Sequence, residues 1–168
     1  MEREKILKLV IIIVCVIGFI GLILPYGVSI GEYKEYLQKY PDAMNIEEIN
    51  LTNKDAVNIS IIENFKMHSY NMNMYDDEEG TFIFILTIVL IASIVLVLVF
   101  TIVNKRVLSI IFGLLLLGSS YLINLDTNLS GSESYTYGIS FYLYPGIAAV
   151  VIFLSVSSII LSIKNKKK

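Results

Sequence analysis

Four stretches of this chain are predominantly apolar, at positions 6–27, 81–103, 107–124 and 139–163. About 20 such residues carry an α-helix through the ~30 Å hydrocarbon layer of a bilayer. A lipid-embedded backbone must also satisfy its own polar groups, which a helix does internally. The pattern therefore predicts an all-α membrane protein, a bundle of four transmembrane helices forming a single membrane domain. The second stretch is the clearest, because it lacks the polar face of a soluble amphipathic helix. The third is only just long enough and should cross with little tilt. Asn104, Lys105 and Arg106 alone separate these two, which makes them a tight antiparallel hairpin.

Between the first and second stretches lies a polar loop, 29–79, expected to contain short helices. Tyr33, Tyr36, Leu37 and Tyr40 recur at helical spacing, with Glu32, Lys34, Glu35 and Lys39 on the other side. Pro41 should stop that helix, since a proline pushes the residue before it out of helical geometry. Phenol rings suit the headgroup layer, so the stripe fits a membrane surface, and it fits packing on the rest of the loop equally well. Around Asn53-Lys54-Asp55, the apolar residues Ile46, Ile49 and Leu51, then Val57, Ile59 and Ile61, fit a hairpin or a small helix. Ser60 and Glu63 have the spacing of a capping box, which predicts a short helix over 61–68.

Charge orients the chain. Nine of the 13 basic residues flank the apolar stretches on one side: Arg3, Lys5, Lys8, Lys105, Arg106, Lys164, Lys166, Lys167 and Lys168. The other side holds 13 of the 15 acidic residues, all except Glu2 and Glu4. Cytoplasmic loops retain Lys and Arg, so both termini and the hairpin tip are expected in the cytoplasm, and loop 29–79 outside the cytoplasmic membrane. A cleavable leader is the competing reading of the first stretch. Its length, Pro25-Tyr26 and the lack of an Ala-x-Ala site favour a retained anchor. The net charge of −2 hides the asymmetry, and without a basic stripe nucleic acid is excluded as a partner.

Little in the chain points to catalysis. Cys15 is the only cysteine and His68 the only histidine, so no disulfide, cysteine metal cluster or thiol–imidazole pair can form within one chain. The middle of each apolar stretch carries no ionisable side chain, and ion- or proton-coupled transport normally requires one. Its serines and small residues read as close helix packing. Asp76, Asp77, Glu78 and Glu79 could hold a divalent cation through oxygen, but such a run is ordinarily a solvated membrane flank. Tyr26, Tyr121 and the run Tyr137 to Tyr144, with Pro145 beside it, read as an outer aromatic belt.

The order Leu24-Pro25-Tyr26, a polar outer segment, Asp77-Glu78-Glu79-Gly80, a Lys-Arg tip and Gly138-Ile-Ser-Phe-Tyr-Leu-x-x-Gly146 resembles a diffuse group of small four-span membrane proteins of low-GC Gram-positive bacteria. Some members add an N-terminal zinc ribbon, which this chain lacks. The group has no established activity, so the resemblance implies a membrane setting and carries over no functional residue. Claudins share the topology, but their Trp and paired Cys of the first outer loop are missing, and topology alone transfers no function.

The expectation is a non-enzymatic membrane protein without cofactor or metal, embedded in lipid. It acts as an accessory or recognition subunit for another membrane or envelope protein. The surface expected to do so comprises Tyr33, Tyr36, Tyr40, Phe65, Asp76, Asp77, Glu78 and Glu79. The alternative is a homo-oligomeric passive pore or a transporter subunit, lined by Ser155, Ser158 and Ser162.

Overall fold

The computed structural model describes residues 2–75, 78–126 and 134–166. In chain order it contains α1 (Glu2–Gly21), β1 (Pro25–Ser29), α2 (Gly31–Lys39), β2 (Met44–Ile46), a 3-10 turn (Glu47–Ile49), β3 (Leu51–Thr52), α3 (Asn53–Ala56), β4 (Asn58–Ser60), α4 (Ile61–Tyr75), α5 (Glu78–Ile102), α6 (Arg106–Asp126), β5 (Tyr135–Tyr137) and α7 (Ile139–Lys166). The chain is mostly helical (79%), and three helices are long and apolar enough to cross a membrane: Gly80–Ile102, Arg106–Leu125 and Ile139–Asn165.

The long helices bury seams that repeat every three or four residues. In α5 the seam is Ile83, Thr87, Leu90, Ile94, Val97 and Thr101; in α6 it is Ser109, Gly113, Leu116, Ser120 and Ile123; in α7 it is Tyr144, Ile147, Val151, Ser155 and Ser158. Alternating steps of three and four keep a seam on one side of a helix, which suits packing at shallow angles. α5 packs on α6, α6 on α7, and α1 on both α7 and α5, so Ile11 and Cys15 join the same apolar core. Outward positions are apolar too. Phe82, Ile85 and Ile88 on α5, Leu114 and Leu115 on α6, and Phe153 on α7 (70% exposed) are turned away from that core. A belt of this kind is an aggregation liability in water and a solvated surface in lipid.

The α5–α6 hairpin closes as the sequence predicts. Asn104 adopts the left-handed conformation (φ 59°), Lys105 N–H bonds Phe100 O at 2.8 Å, and Asn104 N–H bonds Thr101 O at 3.2 Å. This pair of bonds is the Schellman closure of a helix C-terminus.

The first stretch departs from its expected course. α1 starts at Glu2, tapers through the bonds Leu22 N–H to Phe19 O and Leu24 N–H to Gly21 O, and gives way to β1 at Pro25 rather than running to 27. Pro25 excludes Leu24 from helical geometry. The carbonyls released there accept from the Ser140 hydroxyl, Gly21 O at 2.7 Å and Leu24 O at 3.1 Å.

Loop 29–79 contains the expected short helices, and strands of which the sequence left only a hairpin within 46–61 open. β1 is the centre of a three-stranded antiparallel sheet, ordered β4-β1-β5, while β2 and β3 pair separately. The sheet joins the segment after α1 to the segment before α7. Ser60 and Glu63 form the expected capping box, with Glu63 Oε2 accepting from Ser60 N–H at 2.6 Å and Ser60 Oγ from Glu63 N–H at 3.2 Å. The helix it starts continues past 68 to Tyr75, because α4 packs along α5.

Candidate functional site

The segment between α1 and α5 is a folded cap with its own small core. Leu37 is fully buried with Leu51 and Ala56, and Tyr33, Ile46, Ile49, Val57 and Met67 pack around them. Asn53 lies in the same interior, its Nδ2 donating to Tyr40 O at 2.9 Å and its Oδ1 accepting from Asn45 at 3.1 Å. At Asn53-Lys54-Asp55 the helix alternative is the one adopted. Thr52 caps α3 reciprocally with Asp55, whose Oδ2 accepts from Thr52 Oγ1 at 2.7 Å and Thr52 N–H at 3.1 Å. The Thr52 hydroxyl, then the Thr52 amide, hold the Asp55 carboxyl below its ordinary range.

The expected recognition residues divide into two sets. Tyr36 and Tyr40 are exposed, their rings 5.6 Å apart, with Lys39 Nζ 5.3 Å from the Tyr40 ring. Glu32 and Glu35 on the same helix, Asp42 just after it, Glu47 and Glu48 are also exposed, as is Glu78 at the foot of α5. Tyr33 instead turns into the cap, edge-on to Tyr135 at 5.6 Å, and accepts from Asn45 Nδ2. Tyr135 donates to Ala56 O at 2.9 Å, and burial, then the Tyr33 hydroxyl, raise its pKa. Phe65 stacks on Phe84 at 4.6 Å between α4 and α5, so it holds the cap down rather than offering itself to a partner. Asp76 and Asp77 lie outside the described residues.

The aromatics expected to form a belt divide similarly. Tyr121 and Tyr142 are exposed as a belt requires, whereas Tyr26 and Tyr144 are core residues. The reason is hydrogen bonding, since Tyr26 donates to Asn124 Oδ1 at 3.1 Å and Tyr144 to Gly18 O at 3.2 Å.

At the opposite end of the helices a polar cavity of about 290 Å³ opens between α1, α5, α6 and α7. Lys8 spans its mouth, donating to Ile102 O at 2.7 Å and Asn104 Oδ1 at 3.2 Å, where a cation suits the carbonyl end of α5. Arg106 pairs with Glu4 at 3.1 Å. Deeper in, Thr101 and Ser109 share a hydrogen bond of 3.3 Å, and Ser155 and Ser158 complete the lining. The sequence marks Lys8 and Arg106 as signs of orientation and Ser155 and Ser158 as a candidate pore lining. What it does not signal is that Thr101 and Ser109, on two other helices, hold seam positions at the same end.

Comparison with protein-family models, curated proteins and solved structures finds no match.

Proposed function

We propose that this chain is a non-enzymatic four-span protein of a bacterial cytoplasmic membrane, with both termini and the α5–α6 tip in the cytoplasm, and that its outer cap recognises another membrane or envelope protein. α1 supports a fourth crossing because, beyond its charged opening turns from Glu2 to Lys8, its outward residues Leu9, Ile13, Val16 and Ile20 are apolar and exposed. The observation that carries the recognition reading is the exposed Tyr36–Tyr40 pair on a cap that has its own core. Rigid aromatic side chains with polar tips supply contact area at little entropic cost, which suits them to recognition.

The test is affinity capture of the tagged protein from its native membrane, followed by mass spectrometry. A stoichiometric partner should be lost in Tyr36→Ser/Tyr40→Ser, whose changes are both on the surface, and retained in Lys164→Gln. Capture unaffected by the tyrosine changes would sink the reading. The pore alternative has weaker support: Ser155 and Ser158 line a cavity at one end, while Leu90, Ile94, Tyr144 and Val151 fill the centre beyond it.

A further inference from the structure

We infer that the cavity between α1, α5, α6 and α7 is a binding site for a phosphate group. Its lining brings the cations Lys5, Lys8 and Arg106 together with a single carboxylate, Glu4. Arg106 neutralises that carboxylate, and among the described residues Lys8 is bonded to neutral acceptors, the Ile102 carbonyl and the Asn104 amide oxygen, and not to a carboxylate. The remaining polar groups are the Asn104 amide, whose oxygen already accepts from Lys8, and the hydroxyls of Thr101, Ser109, Ser155 and Ser158. Thr101 and Ser109 share one hydrogen bond, which leaves one proton of that pair and those of Ser155 and Ser158 for an oxyanion.

Ser155 supplies the independent observation. A buried helical hydroxyl normally bonds a carbonyl one turn back, as Thr87 does to Ile83 O and Ser120 to Leu117 O. Ser155 is 1% exposed and lines the cavity, yet its Oγ has no partner among the described residues. An oxygen-rich anion would supply the acceptor that its own helix does not. A tetrahedral phosphate group can accept from several surrounding donors at once, more than the two oxygens of a carboxylate serve. The cavity is large enough for a headgroup phosphate, and it lies at one end of helices apolar enough to cross a membrane. Two sources share this chemistry, an anionic phospholipid and free phosphate. The inference is independent of the cap's role and of which way the chain faces.

The full chain, delipidated in a non-ionic detergent, is titrated with phosphatidylglycerol or phosphatidylcholine under native mass spectrometry. In a separate arm it is dialysed to equilibrium against radiolabelled inorganic phosphate. Saturable binding of one phosphatidylglycerol, preferred over phosphatidylcholine and weakened about tenfold or more by Ser155→Ala and by Lys8→Gln, supports a lipid source. Phosphate binding with the same variant pattern, without lipid preference, supports a soluble one. Lys34→Gln and Lys54→Gln, on the cap, should change neither. Ser155→Ala removes only an unpartnered hydroxyl and should fold normally, so it decides the matter if Lys8→Gln aggregates. Equal binding of both lipids together with no phosphate binding, or affinities unchanged in Ser155→Ala, would overturn the inference.

Discussion

The side-chain amide of Asn124 donates to the carbonyl oxygen of Phe141 at 3.2 Å, the acceptor that Pro145, four residues further on, leaves without a helical donor. Proline inside a helix normally costs about 3 kcal/mol, in part through that lost bond. Here a neighbouring helix replaces the missing donor, and the Tyr26 hydroxyl holds the same amide from its other side. Asn124→Leu should therefore destabilise the protein by about 1–3 kcal/mol. In a Pro145→Ala background, where residue 145 regains an N–H, the same change should cost less. Thermal unfolding in detergent of the four proteins gives the coupling, and strict additivity would refute the relationship.

Gly138 marks the closest approach of β1 to the start of α7. Its N–H bonds Tyr26 O at 2.7 Å, and a Cβ there would lie 2.3 Å from Pro25 O. Backbone cannot yield as a flexible side chain can. Gly138→Ala is expected to cost about 1–3 kcal/mol, read as a lowered melting temperature. Gly146→Ala, inside α7 where no atom lies within 4 Å of the added carbon, is the control and should not lower the melting temperature, since Ala favours a helix over Gly by about 0.5–1 kcal/mol.

The Thr52–Asp55 box makes the cap sensitive to acid. The folded state holds the Asp55 carboxyl below its ordinary value of 3.8, so the stabilisation is present above that value and lost as pH falls through the lower folded one. Hydrogen exchange of the 44–60 amides, corrected for intrinsic rates, should accelerate below about pH 4 and remain flat from pH 5 to 8. Asp55→Asn should remove the acid-dependent part. A transition centred near neutrality would point to a different group.

Topology is accessible through the single cysteine. Cys15 is buried, and Cys15→Ala gives a background free of thiols. In it, an impermeant maleimide applied to intact cells should label Lys39→Cys, and should label Lys105→Cys and Arg3→Cys only after lysis. Labelling of Arg3→Cys from outside would place the N-terminus on the cap's side and reduce the crossings to three.

How much of this was readable from the chain varied with the range of the interactions involved. The 81–103 helix, the Asn104 turn and the Ser60–Glu63 box depend on residues within a few positions of one another, and the structure has all three. The fate of residues 22–29 does not. Val28 and Ser29 become strand because residues 135 and 136, over a hundred positions away, offer a matching edge. No local periodicity encodes that. Phe65 likewise looked like part of a free surface until α4 was placed along α5. The cavity was the least readable feature, since Lys8, Thr101, Ser109 and Ser155 form a group only once four helices are side by side.

The sheet order β4-β1-β5 also bears on how the protein is made. A ribosome delivers the central strand first, one edge soon afterwards and the other edge only after two long helices have been synthesised. Until Tyr135–Tyr137 emerges, the Gly27–Ser29 edge has unpaired amides and carbonyls, the kind of edge that recruits other chains. Completion of the outer surface is thus a record that the last helix has arrived. A nascent chain stalled before Tyr135 would show the cell an unfinished edge, a mark by which quality control could tell incomplete copies from finished ones.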